Sequence, residues 1–417
     1  MSGPPVSGLT SSAGSSATSE RAAQEGRHRV QAHSPASGAS QADTVSVHRQ
    51  QPIWGDVGRL AEVRTELAIR EALVAVDDVL RLRSWLGVVA GGGAHVVQAG
   101  DCAESFAECT SDYVLRKAGL VDVLAGVLKM ITRTPVVRVG RIAGQFAKPR
   151  SNADEHVNGQ VLPAYRGDAV NSAEPDPDGR VPDPRRLLRA YDAASGALAC
   201  LDHAFDSPLW TSHEALLLDY ELPLLRSASQ GWYLSSTHWP WVGDRTRQLD
   251  GPHVALLASV LNPVACKVGP TMTADELLAL CAVLDPSREP GRLTLIARLG
   301  VGTAASALPP LVRAVRAAGH PVIWLTDPMH GNTVRTPDGL KTRLVERITQ
   351  EVREFQEAVR AAGGMAGGLH LETTPDNVTE CVHNATHLDQ VADKYTTLCD
   401  PRLTTRQAVE VVSSWIA

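Results

Sequence analysis

From about residue 52 the chain alternates between short apolar runs and longer stretches whose apolar residues recur every three or four positions. The runs are "HVVQAG" at 95–100, "PVVRVG" at 135–140, "THWPWVG" at 237–243, "VACKVG" at 264–269, "LTLIARLG" at 293–300, "PVIWLTD" at 321–327 and "GGLHLE" at 367–372. Such runs predict strands buried on both faces, as in a parallel sheet covered by helices. A short eighth strand is expected near "LWTSHEAL" at 209–216. Thr273 and Glu276 have capping-box spacing ahead of Leu277, Leu278 and Leu280, which predicts a helix over 273–284. Leu340, Leu344, Ile348, Val352, Phe355 and Val359 trace one helical face over 338–362, with Gly363 as the stop. Eight alternating strands would close a (β/α)8 barrel, although the pattern alone also permits an open doubly wound sheet.

Residues 1–50 break this rhythm. They are rich in Ser, Ala, Gly and Pro and nearly devoid of large apolar side chains, so they are expected to form a disordered tail ahead of a single catalytic domain over 51–417. Glu20, Glu25 and Asp43 argue against a transit peptide there. No run approaches the roughly 18 apolar residues of a membrane span, so no membrane partner is expected. The net charge of −6 disfavours nucleic acid as the main partner. Seven cysteines without regular spacing do not read as a disulfide framework, so a reducing cytoplasm is the expected location.

In either parallel architecture the working groups lie at the carboxyl ends of strands, and here nearly every such end carries an unusual polar residue. Cys102 follows the first run, Arg141 the second, and Arg245 lies just past "WPWV". Lys267 and Arg298 sit inside their runs, His330 follows "PVIWLTD", Glu372 ends "LHLE", and Asp400 lies in "CDPRL". One such residue would usually be structural. A convergent set is different, because unpaired charges are costly to bury. Cys102, His330, Glu372 and Asp400 form a mixed donor set for a divalent transition ion such as Mn²⁺, Co²⁺, Fe²⁺ or Zn²⁺. Arg141, Lys148, Arg150, Arg245, Lys267, Arg298 and Lys341 form a cationic group that suits a doubly anionic ligand or two phosphorylated ones. Three of the chain's six lysines are in it. There is no Gly-x-Gly-x-x-Gly and no Walker loop, so nucleotides are not indicated.

Nine segments in order, "QAGDCAESF", "VGRIAGQFAKPRS", "PAYRGDAVN", "TSHEALLLDYE", "GDRTRQLDGPHVALL", "NPVACKVGP", "DPMHGNT", "GGLHLE" and "CDPRL", resemble the type II 3-deoxy-D-arabino-heptulosonate 7-phosphate (DAHP) synthases. The resemblance runs from about residue 52 to the C-terminus. It implies a (β/α)8 barrel and a metal-dependent condensation of phosphoenolpyruvate with erythrose 4-phosphate, giving DAHP and phosphate, the first step of the shikimate pathway. It also implies the metal ligands Cys102, His330, Glu372 and Asp400, with Mn²⁺ or Co²⁺ as the expected ion. Arg141, Arg245, Lys267 and Arg298 correspond to the phosphoenolpyruvate cradle. Lys148, Arg150 and Ser151 correspond to the erythrose phosphate site, with Lys341 beside them. Lys267 is expected to give a proton to the new alkoxide, and Asp244 to orient water.

Ala99 replaces a usual glycine, and Asp244 a usual glutamate. Only about 40 residues separate "DAVN" at 168–171 from "SHEAL" at 212–216, where regulated members carry a longer helical insertion. Residues 174–184 read as a loop and 185–205 as one helix with Leu187, Leu188, Tyr191, Ala194 and Leu198 on its apolar side. The expectation is a short, feedback-insensitive homo-oligomer, dimer or tetramer, serving secondary metabolism. An aminoDAHP synthase and an inactive regulatory paralogue are the alternatives.

Overall fold

The computed structural model describes residues 49–157, 159–204 and 208–416. The tail expected over 1–50 lies outside them except for its last two residues. Gln50 is well placed: its side-chain oxygen accepts from Arg150 N at 2.9 Å, and its carbonyl from Arg166 Nη1 at 3.1 Å.

Eight parallel strands form a closed barrel in chain order: β1 (His95–Gly100), β2 (Val136–Arg141), β3 (Trp210–Glu214), β4 (Trp239–Val242), β5 (Val264–Val268), β6 (Leu293–Ala297), β7 (Ile323–Thr326) and β8 (Met365–Glu372). Each falls on an expected run. The fold is therefore the (β/α)8 barrel and not the open sheet, because β1 pairs with both β2 and β8. The register sets one layer of the rim: Gly100 lies opposite both Arg141 and Glu372. Gly100 has φ of +149°, and a Cβ there would come within 2.6 Å of the Arg141 carbonyl. The glycine that this turn needs is thus Gly100, while Ala99 is an ordinary buried strand residue.

Helices α1 (Val57–Ile69) and α2 (Val76–Ala90) precede the barrel. Leu82, Leu86 and Val89 of α2 join Val96, Val139, Trp239, Ile296 and Leu325 in the barrel-interior cluster. A larger apolar layer lies between strands and outer helices. It takes in α3 (Ser111–Thr132), α5 (Pro252–Ala258), α6 (Ala274–Leu284), α7 (Ala304–Ala317), α8 (Val345–Ala361) and α9 (Thr405–Ser413). The Thr273 side chain caps α6 by accepting from Glu276 N. The β2–β3 connection carries α4 (Arg185–Ala204), which buries Leu187, Tyr191, Ala194 and Leu198 and packs on α1 and α3. Among the described residues, no helix is long and apolar enough to cross a membrane.

The helix expected over 338–362 is shorter at its start. Lys341–Arg343 is a strand paired antiparallel with Thr333–Arg335, and α8 begins only at Val345. The Pro337-Asp338-Gly339 sequence makes a turn, with Gly339 at φ +88°. Leu340 and Leu344 keep helical spacing, but they pack in a satellite cluster with Val382 and Val391.

Candidate metal and phosphate site

A cavity of about 740 Å³ opens among the loops after the strands, and every candidate metal-binding, substrate-binding and catalytic residue named from the sequence lines it. The donor atoms of Cys102, Glu372 and Asp400 lie within 4.8 Å of one another, all buried. Cys102 Sγ is 3.7 Å from Asp400 Oδ2. His330 stands at the edge of this group, with Nε2 3.3 Å from Glu372 Oε1. Its Nδ1 lies 2.8 Å from Asp327 Oδ2. Burial raises the Asp327 carboxyl, but His330 and Lys267 outweigh that and hold it well below its ordinary range. Asp327 thus backs the ring at Nδ1 and leaves Nε2 as the atom turned toward Glu372, the usual placement for a metal-binding histidine.

The two carboxylates among these donors are held in their ionised form. Burial disfavours ionised Glu372 and Asp400, yet both carboxyls are held well below their ordinary range, Glu372 by His330 and Arg343 and Asp400 by Lys148. The Lys148 ammonium contacts both Cys102 Sγ and Asp400. Lys341 Nζ reaches Asp400 Oδ1 at 2.7 Å. Burial pushes the Cys102 thiol well up, as does its contact with Cys399. A bound divalent ion would reverse that preference, because a coordinating thiol is deprotonated. One sulfur, one imidazole and two ionised carboxylates fit such an ion.

The cationic group lies across the same cavity. Lys267 Nζ is 2.5 Å from Asp327 Oδ2, and Arg298 Nη1 is 2.9 Å from Asp244 Oδ2. Asp244 Oδ1 accepts from Arg247 Nε at 2.9 Å, so both its oxygens hold arginines. Arg245 Nη2 donates to Ser151 Oγ at 2.6 Å, and Arg150 pairs with Glu155. The Arg141 guanidinium lies 5.4 Å from the Trp241 ring centroid and donates through Nη2 to Glu372 Oε1 at 3.2 Å. Burial depresses Lys267 to about 8, with Arg141 and Arg298 adding to the effect and Asp327 opposing it.

Several functional neighbours escaped the sequence reading. Asp327 opens "DPMHGNT" and joins Lys267 to His330. Arg343, fully buried, donates to Glu372 Oε2 at 2.7 Å; it was hidden by the overlong helix. His370 contacts Arg141 Nη1 at 2.9 Å. The period of two from His370 to Glu372 was the available signal, since both face inward from β8. Glu214, at the end of β3, has an Oε1 without a hydrogen-bond partner among the described residues, and burial raises its carboxyl. Beneath the rim, Glu104 accepts from the backbone N–H groups of Ala143, Gly144 and Gln145 at 2.9–3.1 Å, just past Arg141. That clamp supports Ala143 at φ +64°, a strained conformation of the kind found at functional sites. Glu351 of α8 likewise accepts from Leu299 and Gly300 N and from Asn332 Nδ2, steadying the segments that carry Arg298 and His330.

Comparison with known proteins gives the family. The profile of the class-II DAHP synthetase family matches residues 40–209 and 201–415. A probable phospho-2-dehydro-3-deoxyheptonate aldolase from Pseudomonas fluorescens is 55% identical over 377 residues, covering 88% of this chain and 94% of its own. A phospho-2-dehydro-3-deoxyheptonate aldolase from Streptomyces coelicolor is 37% identical over 418 residues, covering 87% of this chain and 93% of its own. The solved phospho-2-dehydro-3-deoxyheptonate aldolase of Francisella tularensis SCHU S4 superposes with a TM-score of 0.51 at 11% identity, over 85% of this chain and 94% of that one, a likeness of fold alone. A profile spanning nearly all of the barrel, with relatives this similar along most of their length, means that the chain belongs to the class-II DAHP synthetase family.

Proposed function

We propose that this chain is a metal-dependent DAHP synthase that condenses phosphoenolpyruvate with erythrose 4-phosphate and water to give DAHP and phosphate. The observation that carries the reading is one cavity in which four candidate metal donors face eight lysine and arginine side chains, the seven named from the sequence and Arg335. A divalent ion on Cys102, His330, Glu372 and Asp400, Mn²⁺ or Co²⁺ in this proposal, supplies a Lewis acid for the aldehyde oxygen. Arg141, Arg245, Lys267 and Arg298 bind phosphoenolpyruvate. Lys148, Arg150, Ser151 and Lys341 bind erythrose 4-phosphate. Together they place C3 of the enol against the aldehyde carbon, which converts an encounter of two anions into a near-unimolecular step. Lys267, depressed to about 8, is suited to hand its proton to the oxygen of the former aldehyde. Asp244 orients the water that adds to C2, through lone pairs that its two arginines leave open. Phosphate then leaves from C2. In this reading residues 51–417 act as one catalytic domain, as a cytoplasmic homo-oligomer.

Phosphate release from phosphoenolpyruvate tests the reading. It is expected to require both erythrose 4-phosphate and a divalent metal, and to stop on chelation. Release that needs an amino-sugar aldehyde instead would move the assignment to an aminoDAHP synthase. No release with either aldehyde at saturating Mn²⁺ would point to an inactive paralogue.

We also propose that the enzyme escapes feedback by aromatic amino acids, as secondary metabolism would require. Allosteric inhibition needs a second site whose ligand prefers one global state. Among its described residues the β2–β3 connection carries a single helix, α4, whose apolar face is already spent on α1 and α3. Phe, Tyr and Trp, singly or combined, are expected to leave the steady-state rate unchanged at physiological concentrations. Sub-millimolar inhibition by any of them would show that an effector site exists elsewhere.

A further inference from the structure

Asp101 directly precedes Cys102, and Arg402 lies two residues beyond Asp400. The two are 301 positions apart in the chain, yet Arg402 Nη1 donates to Asp101 Oδ1 at 3.0 Å. Asp101 is 0% exposed and Arg402 5%. Neither lines the cavity, so neither touches substrate. Both ends of the pair are anchored. The other carboxylate oxygen of Asp101 lies 2.5 Å from Lys117 Nζ of α3. Glu380 accepts from Arg402 through its backbone N at 2.8 Å, its Nε at 3.1 Å and its Nη2 at 2.8 Å. Glu380 Oε1 also accepts from Thr396 Oγ1 at 3.0 Å.

The need for such a device is visible in the backbone. Hydrogen bonds reach this corner from Thr373 N to Gly100 O and from Leu403 N to Glu372 O, at 2.8 and 2.9 Å. They tie β1 to β8, and β8 to the segment after Asp400. They do not join the Cys102 segment to the Asp400 segment directly. The two segments also meet through Lys148 and through Cys102 Sγ and Asp400 Oδ2, but those are the donor atoms themselves; the ion pair makes the third connection away from them. A fully buried charge pair is also a demanding way to stabilise a fold, because desolvation offsets most of its attraction. Its placement, one residue from one candidate ligand and two from another, gives it a role in geometry.

We propose that the Asp101–Arg402 pair is a positioning element for the metal centre, holding Cys102 and Asp400 at ligand separation. The proposal rests on the ligand set assigned above. Loss of the pair leaves every donor in place but lets the two segments separate, so the ion is bound more weakly. Outer partners of metal ligands typically contribute 10- to 100-fold in affinity.

The experiment is a Co²⁺ titration of the full chain, followed by the thiolate-to-cobalt charge-transfer absorption. Wild type, Asp101→Asn, Arg402→Gln and the double variant are compared, with melting temperature recorded for each. The expected result is a 10- to 100-fold weaker Kd in both single variants, and a double variant no worse than the weaker single. At saturating Co²⁺ the phosphoenolpyruvate KM should return to within a few-fold of wild type. If Arg402→Gln fails to fold, Asp101→Asn carries the test, because it keeps the shape and removes only the charge. Unchanged Kd in folded variants, or a lowered melting temperature alone, would overturn the proposal. If the wild-type protein itself gives no thiolate band, the ligand assignment has failed instead, and the two failures stay distinct.

Discussion

Cys102→Ser is expected to abolish metal-dependent turnover while leaving the fold in place. The substitution replaces sulfur by oxygen in a side chain that is 2% exposed, so packing changes little. It removes the softest donor of the set. A bound metal Lewis acid contributes several kcal/mol of transition-state stabilisation, so the expected loss of kcat/KM is on the order of 10³-fold. Initial rates measured across a Mn²⁺ titration, beside a far-ultraviolet dichroism spectrum, provide the check. Wild-type turnover by the variant at substoichiometric Mn²⁺ would take Cys102 out of the coordination sphere. In the native protein, oxidation of this thiol should inactivate, and bound metal should protect it.

Lys267→Met should raise the KM for phosphoenolpyruvate, whereas Arg150→Ala should act chiefly on erythrose 4-phosphate. Each loses a charge-assisted hydrogen bond, about 1.5–3 kcal/mol, or roughly 10- to 150-fold. The lysine variant should lose more, since it also lacks the proposed proton donor. A pH profile separates the two roles. Lys267 carries its proton below about 8 and loses it above. In the wild type, kcat/KM for phosphoenolpyruvate should therefore fall on the alkaline side of about 8, approaching tenfold per pH unit. The corresponding limb in kcat should lie at higher pH, because the bound anion favours the ammonium form. An Arg150 variant with a changed KM only for phosphoenolpyruvate would show that the two phosphate subsites are interchanged. A flat profile between pH 7 and 9.5 would remove Lys267 from proton transfer.

The strands were readable because each is a short apolar run that ends where the chemistry begins. A buried parallel strand has to be apolar on both faces, and its carboxyl end is the first place where a polar residue is tolerated. Cys102, Arg141, Lys267, Arg298, His330 and Glu372 could be ranked as candidates for that reason. The helix over 338–362 failed for a related reason. Leu340 and Leu344 have the spacing of α8's buried face, but periodicity registers burial without saying against what. Their burial is supplied by Val382 and Val391, and the Pro-Asp-Gly turn frees Lys341 and Arg343 to reach Asp400 and Glu372.

Local pattern and strand-end chemistry thus account for the barrel's elements and for the candidate residues as types. The partners are another matter. Lys148 was assigned to a sugar phosphate, and its ammonium lies against Cys102 and Asp400. Asp101 and Asp327 stand at strand ends as the ranked candidates do, but like Arg343 and Arg402 each takes its meaning from a group far along the chain. The Asp101–Arg402 meeting depends on closure of the barrel, which seats β1 beside β8 with Gly100 opposite Glu372, and the Lys267–Asp327 and Arg343–Glu372 meetings depend on how the later strands and their loops assemble. Periodicity within a segment reports which face is buried; the energy of a charge pair depends on distance and solvent, and both are set only when the strands assemble.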